Sequence, residues 1–239
     1  MKPSRESLKV KLFADGADLA AMVEMAAEPH ISGLTTNPTL MKKAGISNYM
    51  KFAKEVLTAI PNKPISFEVF SDNIEEMKIQ GQKIASLGDN VFVKVPISNT
   101  QGELTQSVIK YLTSKGIKVN VTALMTEQQV VNVVDVLDPE VPSYVSVFAG
   151  RIADTGRDPV PIMSKCLEIL SANQKSELIW ASPRELLNVF QADAIGCHII
   201  TATNDILKKL ELVGKDLEEY SLETVKMFYL DAKQSRYEI

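Results

Sequence analysis

The sequence predicts an α/β protein: a single (β/α)8 barrel of the TIM type over residues 1–239, in which 213–239 form a C-terminal helical extension. Three observations predict it. Short β-rich runs recur along the chain, a segment with helical periodicity follows each of them, and no linker or shift in composition interrupts the series. Strands that alternate with helical patterns build βαβ units and hence a parallel sheet. Eight such units in about 210 residues suit closure into a barrel.

The expected strands lie in "VKLFADGA" (10–17), "ISGLTTNP" (31–38), "PISFEVF" (64–70), "NVFVKVPI" (90–97), "IKVNVTAL" (117–124), "PSYVSVFAG" (142–150), "ELIWASP" (177–183) and "GCHIITAT" (196–203). Amphipathic stretches such as "SNYMKFAKEVLTAI" and "DNIEEMKIQGQKIASLG" separate them. The second opens on Asp72, a residue type suited to N-capping, with Glu75 three positions later. A doubly wound open sheet is the competing architecture, but no GxGxxG follows the first strand and no GxxxxGK[ST] occurs. After the eighth unit, "LEEYSLETVKMFYLDAK" is helical in pattern and carries Leu217, Tyr220, Val225, Phe228 and Tyr229. That is more apolar surface than a solvated terminus needs, so the extension is expected to pack on the barrel or on a neighbouring subunit.

Composition narrows the function classes. The net charge of -4 provides no basic footprint for nucleic acid, and no apolar run is long enough to span a bilayer. The opening "MKPSRESLKVKL" lacks the apolar core of a secretory signal. Cys166 and Cys197 are the only cysteines and show no CxxC spacing, while His30 and His198 lie far apart, so neither a disulfide framework nor a zinc site is expected. The expected setting is a reducing cytoplasm, and the two thiols are expected to pack as small apolar groups.

"VFVKVPIS" at 91–98 places a lysine inside an apolar strand. Side chains alternate across a strand, so Lys94 shares a face with Phe92 and Pro96, opposite Val91, Val93 and Val95. The valine face has counterparts in Val119 and Val121, Val145 and Val147, and Ile65, Phe67 and Val69, the aliphatic surface that barrel strands turn toward their helices. The opposite faces carry Asp15, Thr35 with Asn37, Glu68, Lys94, Asn120 with Thr122, Ser146 and Ser182. A buried polar group costs a few kcal/mol unless it is satisfied, so a ring of them marks a polar cavity rather than a core. Most lie near the C-terminal ends of their strands, where barrel active sites are built.

These segments resemble the transaldolase family of Schiff-base aldolases. "GLTTNPTL" at 33–40 is similar to the family's TTNP motif, and "VFVKVPIS" to the strand with its Schiff-base lysine. "VNVTAL" is similar to its NxT strand, and "SVFAGRIAD" and "WASPRELL" to its SPFxGRI and ASFR segments. Gly16 stands where the family commonly has threonine, and Pro183 where an aromatic is usual. The resemblance implies an enzyme with Lys94 as the nucleophile, Asp15 as acid/base, and Glu68 working through a water held with Thr122. It further implies that Asn37, Asn120 and Ser146, with Thr35 and Ser182, hold a dihydroxyacetone unit, and that Arg151 and Arg184 hold a terminal phosphate or other anion. Sugar phosphates are the implied partners, and no metal or organic cofactor is implied.

An unperturbed lysine keeps only on the order of one free amine in a few thousand at pH 7. Desolvation in an apolar setting is one way to raise that fraction. Within the family, the resemblance associates transfer with a glutamate on strand three and a phenylalanine in the strand-six motif, here Glu68 and Phe148, and release with glutamine and tyrosine. Transfer of a three-carbon unit from a ketose phosphate to an aldose phosphate is therefore the leading expectation. Release by a plain fructose 6-phosphate-type aldolase is the alternative, and a sugar-phosphate-binding barrel without chemistry is a third. A homo-oligomer is expected from the aromatic extension and from small ring-forming relatives.

Overall fold

In the computed structural model, residues 7–237 are described. The first six residues, part of the segment read above for a secretory signal, and the last two of the extension lie outside them. The strands are β1 (Lys11–Asp15), β2 (Ile31–Thr35), β3 (Ile65–Glu68), β4 (Val91–Pro96), β5 (Val119–Leu124), β6 (Ser143–Val147), β7 (Ser176–Ala181) and β8 (Ile199–Thr203). They close in sequence order into one parallel barrel, with β8 returning to β1. The helices are α1 (Leu19–Ala27), α2 (Pro38–Lys43), α3 (Tyr49–Ala59), α4 (Ile74–Ala85), α5 (Gln106–Thr113), α6 (Glu127–Val134), α7 (Ala149–Ala153), α8 (Pro159–Leu170), α9 (Leu187–Ala194), α10 (Asn204–Lys208) and α11 (Leu217–Ser235).

Alternation sorts the apolar residues into two cores. Val93, Val95, Val119, Val121, Val145 and Val147 are fully buried against the helix ring, together with Trp180. Inside the barrel, Phe13, Phe92, Tyr144, Ile179 and Ile199 form a second cluster. Phe92 stacks on Tyr144 at 3.9 Å between centroids, and Phe13 meets Tyr144 edge-on at 5.7 Å. Gly33 on β2 makes room for this plug, since a Cβ there would stand 2.5 Å from the Phe13 ring. One inward step beyond the plug stand Asp15 on β1, Lys94 on β4, Ser146 on β6 and Thr201 on β8, while β7 places Ala181 there.

Each expected strand forms, but most stop short of the predicted C-terminal limit. β2 ends at Thr35 because Asn37 caps α2, its Oδ1 accepting from Leu40 N–H at 2.9 Å, with Pro38 in the first turn. Asn73, rather than Asp72, caps α4; the Asp72 carboxylate instead accepts from the Thr100 N–H and hydroxyl, each at 2.7 Å. The extension is the helix α11, yet none of its residues is buried: Leu217 is 80%, Phe228 62% and Tyr229 65% exposed. Packing on its own barrel is thereby corrected.

Candidate active site

A cavity of about 400 Å³ opens at the C-terminal ends of the strands. Asp15, Glu68 and Lys94 reach it from β1, β3 and β4, and strand register places Glu68 directly beside Lys94. Lys94 is 6% exposed. Its Nζ donates to the Thr36 carbonyl at 2.9 Å and lies 3.3 Å from Glu68 Oε2. Asp15 Oδ1 accepts from the Thr35 hydroxyl at 2.8 Å. Burial pushes the Asp15 carboxyl above the usual range, against the opposing pull of the Lys94 charge and the Thr35 hydrogen bond. Glu68 is likewise pushed up by burial, with Lys94 again opposing. An amine between two proton-hungry carboxylates suits repeated proton exchange.

The wall is a set of satisfied hydrogen bonds with one exception. Asn120 donates from Nδ2 to Ser66 Oγ at 2.9 Å, and its Oδ1 accepts from Ser146 Oγ at 2.7 Å. Thr122 Oγ1 is buried and has no hydrogen-bond partner among the described residues, which is costly for a hydroxyl unless a ligand or water satisfies it. Ala123 follows with φ 65° and Ser182 has φ 59°, both in the left-handed region. Such residues cost roughly 1–3 kcal/mol each and persist where the surroundings hold them, here at the rim of a cavity.

A family model described as Transaldolase/Fructose-6-phosphate aldolase matches residues 12–239. The chain belongs to that family. A relative named "Probable transaldolase" from Sulfurihydrogenibium sp. is 33% identical over 202 residues, 84% of this chain and 88% of that protein. Another of the same name from Thermoanaerobacter sp. is 32% identical over 218 residues, covering 91% and 95%. Among solved structures, N-acetylneuraminate lyase from Mycoplasma synoviae superposes with a TM-score of 0.54 at 13% identity, covering 95% of this chain and 83% of that one, a likeness of fold.

The five segments similar to transaldolase-family motifs converge on the cavity. Thr35, Asn37 and Pro38 line it from the first, Lys94 from the second, Thr122 and Ala123 from the third, Ser146, Phe148 and Arg151 from the fourth, and Ala181 and Ser182 from the fifth. Ser182 arrives by an unexpected route. β7 ends at Ala181, and alternation from the outward Trp180 would turn residue 182 outward; the left-handed backbone there bends it back over the cavity. Asn120 does not line the cavity but stands behind Ser146.

The two arginines differ. Arg151 lines the cavity with its guanidinium 5.7 Å from the Phe148 ring centroid. Arg184 does not line it: its fork closes on Asp154, Nε donating to Oδ1 at 2.9 Å and Nη2 to Oδ2, while Nη1 donates to Ser182 Oγ at 2.9 Å. These bonds hold the Asp154 carboxyl below the usual range. Cys166 and Cys197 are buried, and burial pushes both thiols up to about 12, which leaves them unreactive at neutral pH.

Sequence reasoning missed Thr201. It faces inward from β8, lines the cavity and bonds Thr35. The alternation Ile199, Thr201, Thr203 against Ile200 and Ala202 was the available signal. Among the described residues no helix is long and apolar enough to cross a membrane, and no three His, Cys, Asp or Glu side chains gather as a metal site.

Proposed function

We propose that the protein is a transaldolase that moves a dihydroxyacetone unit from a ketose phosphate, of the sedoheptulose 7-phosphate or fructose 6-phosphate type, to an aldose phosphate through a Schiff base on Lys94. The observation that carries this reading is the buried Lys94 amine in the charge field of two partly buried carboxylates whose proton affinity is raised. Family membership and the similarity to relatives named transaldolase support it.

The free amine adds to the ketone carbon to form a carbinolamine. Glu68, through a water held with the unpartnered Thr122 hydroxyl, supplies the proton with which hydroxide leaves as water. Asp15 then removes the proton from the hydroxyl one bond beyond the scissile bond. The C–C electron pair moves into the iminium, an aldehyde departs and an enamine remains. An acceptor aldehyde reverses these steps, Asp15 returns its proton to the new alkoxide, and hydrolysis frees Lys94. Asn37, Ser146, Thr35 and Ser182 hold the three-carbon unit in place, and Asn120 orients Ser146 from behind the cavity. Two buried thiols suit a reducing cytoplasm, the setting we assign to it.

Transfer is expected to exceed release. Releasing the three-carbon unit requires a proton at the enamine carbon, and Phe148, which lines the cavity, has no hydroxyl to position a water for that step. Fructose 6-phosphate alone is expected to give little free dihydroxyacetone, and erythrose 4-phosphate to restore turnover. Phe148→Tyr shifts the balance toward release. Rapid release by the wild type without an acceptor would reassign the protein to the aldolase alternative.

Arg151 is the main grip on the terminal anion, and Arg184 adds to it only by sharing its fork with Asp154. Arg151→Ala is expected to raise KM for phosphorylated substrates far more than for unphosphorylated ones, by about 1.5 to 3 kcal/mol per charged hydrogen bond lost. Arg184→Ala has the same direction and a smaller size. Equal losses on both substrate types would remove the assignment.

The extension points to a homo-oligomer. α11 exposes Leu217, Val225, Phe228 and Tyr229, a length of apolar surface that a second copy covers. Light scattering at micromolar concentration is expected to give a multiple of the chain mass, reduced when residues 213–239 are deleted. A monomeric mass for the full chain would exclude it.

A further inference from the structure

Thr201 of β8 and Thr35 of β2 stand on the two strands that flank β1, and their hydroxyls meet in front of it, 2.6 Å apart. Thr201 pairs with Phe13, one inward step below Asp15, and is buried. The direction of the hydrogen bonds follows from proton counting. A hydroxyl has one proton to donate and an ionised carboxylate none. Thr35 is 2.8 Å from Asp15 Oδ1, so its proton is committed there, and the short contact to Thr201 needs the proton of Thr201. The chain therefore runs Thr201 to Thr35 to Asp15 Oδ1. Among the described residues no hydrogen bond reaches Oδ2.

We propose that Thr201 is a positioning residue: by donating to Thr35 it commits the Thr35 proton to Asp15 Oδ1 and leaves Oδ2 as the oxygen that exchanges a proton with the substrate. The assignment rests on the acid/base role of Asp15 given above. Without the Thr201 hydroxyl, Thr35 loses the donor that polarises its own bond, and its proton is free to turn away from Asp15. The anionic form of Asp15 then loses support, while burial continues to disfavour it. Lys94 from β4 and Glu68 from β3 face the same carboxylate, and Lys43, Asp18 and Asp205 line the small cavity beside it at the rim. All of these stay in place when only the hydroxyl is removed.

The test compares Thr201→Val, Thr201→Ala and Thr201→Ser in pH profiles of transfer from fructose 6-phosphate to erythrose 4-phosphate. Valine and alanine both delete the hydroxyl, one with and one without loss of side-chain volume. Both are expected to lower kcat about tenfold with KM within twofold, and to move the acid limb of kcat/KM up by about half a pH unit or more. Serine keeps the wild-type limb and rate. Borohydride trapping at Lys94 with dihydroxyacetone is expected in all of them, because the relay acts after the Schiff base forms. A lower rate with an unmoved limb, or valine and alanine variants that match the wild type, overturns the role of Thr201. Failure of trapping in the wild type overturns the Schiff-base reading instead.

Discussion

Lys94→Met abolishes transfer, lowering kcat by at least about a thousandfold, or roughly 4 kcal/mol of barrier. The reason is chemical: every bond change in the proposed cycle passes through the amine. Methionine keeps a flexible apolar stem at a position that is already buried, so the barrel is expected to survive the change. It also leaves Glu68 and Asp15 without the charge that now opposes their desolvation, so both carboxyls move further up and are neutral over a wider pH range. The direct check is covalent. Borohydride reduction of the wild type with fructose 6-phosphate or dihydroxyacetone attaches a carbon fragment to Lys94 and to no other lysine. A label elsewhere, or inactivation by chelators, would refute the mechanism.

Gly150→Ala is expected to be the most damaging single-carbon addition to the fold. A Cβ at residue 150 would stand 1.6 Å from the Ser182 carbonyl oxygen and 2.7 Å from its carbon, and neither is a side chain that can rotate away. Ser182 already sits in a left-handed conformation at the end of β7, so the clash falls on backbone with little freedom to move. Overpacking typically costs about 1–3 kcal/mol, and a backbone clash this deep belongs at or above the upper end. For a chain of this size that lowers the thermal midpoint by roughly 6–12 °C or more. Activity suffers too, since Ser182 and Arg151 are displaced from the cavity rim together. Gly16→Ala is the control: the nearest atom to its added Cβ is Met22 Cγ at 4.0 Å, and the midpoint is expected to stay near that of wild type. Equal stability of the two variants would mean that α7 can shift away from β7 at little cost.

The alternation of side chains carried most of what could be read in advance. It separated Val93 and Val95 from Lys94, and Phe67 from Glu68, because within a strand the period of two holds whatever the neighbours are. One or two residues beyond β2, β6 and β7 the backbone is no longer a strand, and at Ser182 the alternation fails. Asn37, Phe148 and Ser182 all border the cavity, but as the cap of α2, the residue before α7 and a left-handed turn, not as strand positions. A motif quoted as a string of letters gives no warning of that change in geometry. Thr201 escaped notice because a threonine between Ile200 and Ala202 also reads as part of an ordinary core strand.

The order of the elements, the two faces of each strand and the inward lysine with its two carboxylates are local properties, written in hydrophobic period and residue type. Which groups touch is not local. Strand register sets Glu68 beside Lys94, and closure of β8 onto β1 brings Thr201 to a threonine 166 positions away in the chain. Asp154 captures Arg184 across α7 and the end of β7. α11 is left with its aromatic side chains exposed although its composition suits burial. Each of these outcomes depends on the position of another element, and a single hydroxyl, charge or ring carries no record of the partner that folding will place against it.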